Sequence, residues 1–217
     1  MWILAGINAA LFIAAMCGAD LSVLTLGAGA GNLSTRPWAP LTYMFVQTLP
    51  GHFAINIIGL VIIGAWAEHM SGDRRMLATY LAGGLAGAAA FMAVTSLAGS
   101  GETTLTGSSA AVLAVYAAVA MAFRHRIRQV SLGFLGEWSP TLPLMLVLVD
   151  SVIGLTGPNP AGNLAHLAGI AAGFIIGHLS SRPRKPRTTD PGIVEKCERS
   201  GYSGLTPDER RKLHTNS

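Results

Sequence analysis

Long apolar runs, each about as long as a bilayer is thick, alternate with short polar breaks over most of this chain. A membrane-spanning helix needs about 20 mostly apolar residues. Six runs fit: residues 2–23, 51–70, 76–98, 107–123, 139–155 and 163–180. The first connection, 24–50, is long and Gly-rich and holds an apolar stretch of its own at 38–46. The first run has no basic stretch before it and no small-residue cleavage pattern after it, so it reads as a retained helix rather than a signal peptide. From Arg182 the pattern changes to polar and charged, with Pro183, Pro186 and Pro191. Two short helices are expected there, at 193–199 and 207–213, and Thr206 followed by Glu209 forms a capping box for the second. The expected fold is an all-α membrane protein, with six transmembrane helices over 1–181 and a short cytoplasmic helical hairpin over 182–217.

Composition agrees with the pattern. The chain is 51% hydrophobic and 12% charged, against about 25% charged in soluble domains, and its mean hydropathy is +0.47. Nine of the fifteen Lys and Arg lie from Arg182 onward, and aromatic residues do not interleave with them. The net charge of +4 therefore belongs to loop and tail, and no nucleic-acid partner is expected. Cys17 and Cys197 are too differently placed to pair, Cys17 reads as a small buried side chain, and no metal-ligand spacing occurs. No cofactor or metal is expected.

Charge sets the orientation. Arg74 and Arg75, then Arg124, Arg126 and Arg128, then Arg182, Arg184, Lys185 and Arg187 fall on one side of a six-span chain, against Arg36 alone on the other. Both termini are then cytoplasmic. The second, fourth and sixth runs all enter from outside, which puts His52, Asn56, Ser109 and His166 within roughly 10 Å of the outer boundary. Polar side chains are costly in hydrocarbon, and four at one depth on three helices suggest a site. Gly169, Gly173 and Gly177 recur every four residues in the sixth run, as Gly83 and Gly87 do in the third, and the fourth carries Ala110, Ala111, Ala114, Ala117 and Ala118. Small faces let membrane helices approach closely. The Gly stripe is expected to pack on the Ala face, with His166, three residues before Gly169, turned toward Ser109.

A serine hydroxyl becomes a useful nucleophile when a positioned base takes its proton, and histidine serves near neutral pH. The tetrahedral intermediate then needs donors. His52 and Asn56, one helical turn apart, supply two, and the Ser109 backbone N–H a third. Each residue alone also has a structural reading: a serine bonded to its own helix, a histidine or asparagine joining helices. Ser108 points about 100° away from Ser109. Asp150 either orients a base or bonds a neighbour. Glu68 and Asp73 are expected to pair with Arg74 or Arg75, and His69, His125, His178 and His214 lie far from Ser109.

The chain resembles the bacterial rhomboid proteases. The likeness runs from about Pro37 to His178 and is carried by Pro37-Trp38-Ala39-Pro40-Leu41-Thr42-Tyr43-Met44-Phe45, by His52 and Asn56 as His-x-x-x-Asn, by Gly107-Ser108-Ser109, and by Ala165-His166-Leu167-Ala168-Gly169 with Gly173. It implies Ser109 as nucleophile, His166 as base and His52 with Asn56 as oxyanion donors. It also implies a rhomboid-like six-helix bundle in a bacterial plasma (inner) membrane and an amphipathic first loop in the outer leaflet. The family's dyad has no acid partner, which weakens the case for Asp150. Ala110 stands where the family pattern Gly-x-Ser-Gly ends in Gly, so an extra methyl adjoins the nucleophile, where it could crowd the oxyanion pocket or the approach of the sixth helix.

The resulting expectation is a serine endopeptidase that cuts within the membrane, with single-span membrane proteins as substrates and the lipid bilayer as surroundings. A non-catalytic rhomboid-like protein that binds membrane clients is the alternative, on the strength of Ala110 alone. A solute channel would need polar residues along a whole pore, and the mid-span positions are almost all apolar.

Overall fold

Helices dominate the computed structural model, which describes residues 1–29, 31–99, 103–122, 130–131, 137–138, 141–180 and 191–214. α1 (Trp2–Met16) ends earlier than its apolar run. Gly18 takes a left-handed φ of +89°, and Asp20 Oδ1 accepts from the Ser22 N–H at 2.8 Å, so the chain turns before residue 23. Cys17, expected to be buried, is exposed at this turn. The first loop contains β1 (Leu26–Gly27), α2 (Asn32–Thr35) and α3 (Ala39–Thr42), which runs into a 3-10 turn at Tyr43–Phe45. α4 (Pro50–Ser71) begins with a proline, whose missing N–H is harmless in a first turn. Gly72, at φ +84°, breaks it from α5 (Asp73–Ala98). β2 (Thr104–Leu105) pairs antiparallel with β1, Leu26 opposite Leu105, and leads into α6 (Ser109–Ala122). β3 (Val130–Ser131) and β4 (Glu137–Trp138) form a second antiparallel pair. α7 (Thr141–Ile153) and α8 (Pro160–Ser180) follow. Arg124, Arg126, Arg128, Arg182, Arg184, Lys185, Arg187, Phe123 and Ser139, which the sequence reading used to orient or bound segments, lie outside the described residues.

Three helices, α4, α5 and α8, are long and apolar enough to cross a membrane, and three shorter apolar helices accompany them. Six apolar segments are therefore present among the described residues, and half reach full spanning length. α6, described over the 14 residues Ser109–Ala122, is the one that carries the site. It packs against α4, α5, α7 and α8, and most of its side chains are buried. The outer helices turn Ile55, Ile58, Ile62, Leu85, Leu146, Val149 and Ile175 outward, the arrangement a bundle in lipid requires. The start of α1 lies beside the end of α4, where the Met1 amino group bonds Glu68. Glu68, expected to meet Arg74 or Arg75, has this partner instead.

The helical contacts follow the small residues. A Cβ built on Gly173 would lie 2.8 Å from the Cα of Ala114, and one on Gly177 2.9 Å from the Cα of Ala118. Gly83 of α5 faces the Ala114 methyl. The Gly stripe of α8 thus seats directly on the α6 backbone, as the spacing predicts, and Gly83 of α5 receives an α6 methyl.

Residues Met1–Ser181 form one compact unit and Arg182–Ser217 a second. In the second, α9 (Pro191–Ser200) and α10 (Pro207–His214) extend slightly beyond the expected helices. Thr206 N–H donates to Glu209 Oε2 at 2.7 Å and Glu209 N–H to Thr206 Oγ1 at 3.3 Å, which is the capping box. Lys196 Nζ reaches both Glu209 oxygens at 2.9 Å. The Thr206 N–H first, and Lys196 after it, hold the Glu209 carboxyl down from 4.5 to about 2. A carboxyl with a lowered folded pKa contributes stability above its unfolded value and loses it as pH falls through the folded one. The hairpin should therefore keep this contribution above about 4.5 and lose it toward about 2. The side-chain carboxyl carbon shift of Glu209 in the full-length protein should titrate in that low range, and Lys196→Ala should raise the midpoint.

Candidate active site

Ser109 opens α6, so its backbone N–H is one of those a helix start leaves unbonded. Its hydroxyl lies 2.7 Å from Nε2 of His166, one turn and a half into α8. The glycine three residues on explains the approach. A Cβ on Gly169 would sit 3.0 Å from the Cα of Ala110 and closer still to its carbonyl oxygen. No residue but glycine lets α8 come near enough for the imidazole to reach the hydroxyl.

The sequence leaves Asp150 open as an orienting group; it is exposed on α7, and the hydrogen bonds of the His166 ring go to other residues. The next residue, Ser151, is fully buried and puts its Oγ 3.4 Å from His166 Nδ1. With the proton on Nδ1, that hydroxyl accepts, and Nε2 is the free base facing Ser109. Sequence reasoning passed over Ser151 because a helical hydroxyl ordinarily bonds its own backbone.

His52 is half-buried in the first turn of α4, its ring against Gly107: a Cβ there would be 2.9 Å from His52 Cε1. Gly107 also has φ +106° and donates its N–H to the Tyr43 carbonyl at 3.1 Å. Both the space and the backbone angle call for glycine two residues before Ser109. Asn56 follows one turn after His52, almost fully buried, with Nδ2 donating to Gln47 Oε1 at 2.9 Å. Ser108 faces Gln47 rather than His166, at 3.1 Å. The structure therefore gathers Ser109, His166, His52 and Asn56 around one segment. Gln47, which joins Asn56 to Ser108, is a second residue that spacing could not find. Among the described residues no cluster of His, Cys, Asp and Glu could hold a metal ion.

The methyl of Ala110 lies against α5. It is received by Gly87 of α5, where a Cβ would stand 2.8 Å from it, 3.0 Å from the Tyr43 hydroxyl and 3.2 Å from the Ala165 carbonyl. The missing side chain at 87 makes room for the extra one at 110. Gly87→Ala should destabilise the solubilised protein by about 1–3 kcal/mol, the usual cost of overpacking. Adding Ala110→Gly should recover part of the loss in thermal unfolding.

These small-residue contacts and the Ser109–His166 pair lie within the stretch, residues 34–183, that a family model for the Rhomboid domain matches. No curated protein matches the chain.

Proposed function

The chain belongs to the rhomboid family, and on that premise we propose that it is a serine endopeptidase cutting single-span membrane proteins inside the bilayer, near the outer face. It crosses a plasma membrane six times with both termini in the cytoplasm. The observation that carries this reading is the 2.7 Å contact of Ser109 Oγ with His166 Nε2.

The substrate helix unwinds near its end, since extended backbone is unstable in lipid, and its scissile carbonyl reaches Ser109. As Oγ attacks, its proton passes to His166 Nε2, and Ser151 Oγ accepts from the Nδ1–H and keeps the ring in place. The oxyanion accepts from the Ser109 N–H, the His52 ring and Asn56 Nδ2. Collapse expels the amine, which takes the proton from His166 and leaves an ester on Ser109. Water, deprotonated by the same imidazole, then hydrolyses the ester.

The client-binding alternative rests on Ala110, and its methyl has a place against Gly87. In liposomes holding a fluorescent single-span reporter, wild type should release fragments cut on the outer side. A wild-type protein that binds the reporter without cutting it would favour the alternative.

A further inference from the structure

Behind the site lies a chain of buried polar side chains, of which the proposed reaction uses only Asn56. Asn8 of α1, Gln47 from the connection before α4, Asn56 of α4 and Ser108 before α6 are 0%, 1%, 4% and 1% exposed. Buried amides without partners are costly, and these are bonded end to end. Asn8 Nδ2 donates to the Leu4 carbonyl at 2.9 Å. Gln47 Nε2 donates to Asn8 Oδ1 at 3.0 Å and to Ser108 Oγ at 3.1 Å. Asn56 Nδ2 donates to Gln47 Oε1 at 2.9 Å.

The direction of these bonds has one origin. A carboxamide can be turned over in place, exchanging its donor and acceptor ends. The Leu4 carbonyl can only accept, so Asn8 presents NH2 to it and Oδ1 to Gln47. Gln47 must then donate to Asn8, which leaves its own Oε1 facing Asn56. Asn56 must donate in turn. One of its two amide hydrogens goes to Gln47, and the second stays on the nitrogen that faces the reaction. Turned over, Asn56 would offer a carbonyl oxygen to a developing oxyanion and repel it.

The geometry points to Gln47 as a positioning residue that fixes the Asn56 carboxamide with its NH2 toward the oxyanion. This rests on the reading of Asn56 as an oxyanion donor. The hydrogen bonds of the Gln47 side chain go to Asn8, Ser108 and Asn56, and none to Ser109. It passes to Asn56 the polarity set by a carbonyl in α1, so the first helix takes part in catalysis through three hydrogen bonds.

The test measures kcat and KM for reporter cleavage in liposomes, with Gln47→Met made in wild type and in Asn56→Ala, and the melting temperature as a control for folding. Loss of one oxyanion donor reduces kcat by about 100- to 1,000-fold, which is the expected effect of Asn56→Ala. Gln47→Met should lower kcat by about tenfold or more at nearly constant KM, a fraction of that loss, and should have almost no further effect once Asn56 is gone. Equal losses in both backgrounds, a change confined to KM, or no loss would overturn the proposal. If Gln47→Met does not fold, Asn8→Ala frees the same amide from its anchor without touching Asn56, and the same outcomes decide. Wild-type cleavage that does not depend on Ser109 would bring down the protease reading itself. Ser109-dependent cleavage with additive losses would bring down only the role of Gln47.

Discussion

Ser109→Ala is expected to lower kcat for cleavage of a membrane reporter at least ~10,000-fold, with the protein still folded. Removing a nucleophile or its base in serine hydrolases has effects of this order or larger. Ser109 sits at a helix start, half-buried, with its hydroxyl bonded to His166 Nε2 and to no other described residue, so its loss disturbs little packing. His166→Ala should match it, and the double variant should be no worse than either, because the two act as one unit. Ser108→Ala should cost far less. Its hydroxyl is next in sequence but faces Gln47, so it cannot stand in for Ser109.

Gly169→Ala should have the second largest effect, although the residue makes no polar contact with the site. The added methyl would meet the backbone of Ala110, 2.9 Å from its carbonyl carbon and 3.0 Å from its Cα. Backbone at the core of the bundle cannot rotate out of the way as a side chain can. α8 must shift outward, and it carries His166 with it. A misplacement of 1 Å between reacting groups costs about 100-fold in rate, and kcat should fall by that order. Gly6→Ala in α1, where a Cβ would meet nothing within 4 Å, should leave the rate near wild type. Equal behaviour of the two variants would mean that helix approach does not hold the pair together.

What could be read from the sequence was whatever depends on spacing within one helix. Gly169, Gly173 and Gly177 fall on one face, and the partner they predict, the Ala face of α6, is the one they meet. His52 and Asn56 share a face for the same reason, and the Thr206–Glu209 box closes as its spacing implies. What was hidden depends on contacts between segments. Asn8 and Gln47 are 39 residues apart in sequence and bond at 3.0 Å, and no periodicity relates a helix to a loop. Asp150 drew attention because it is charged, yet the adjacent hydroxyl of Ser151 faces the imidazole. Ala110 looked like a departure near the nucleophile until Gly87 was found opposite its methyl. The end of α1 was misjudged because a left-handed glycine and a short side-chain-to-backbone bond outweigh continued apolar character.

The most direct measurement of the central claim is mass spectrometry of the liposome-embedded protein after reaction with a fluorophosphonate, which modifies only activated hydroxyls. A single adduct on Ser109, lost in His166→Ala, is the predicted result. An unmodified Ser109 in wild-type protein that remains folded would contradict it.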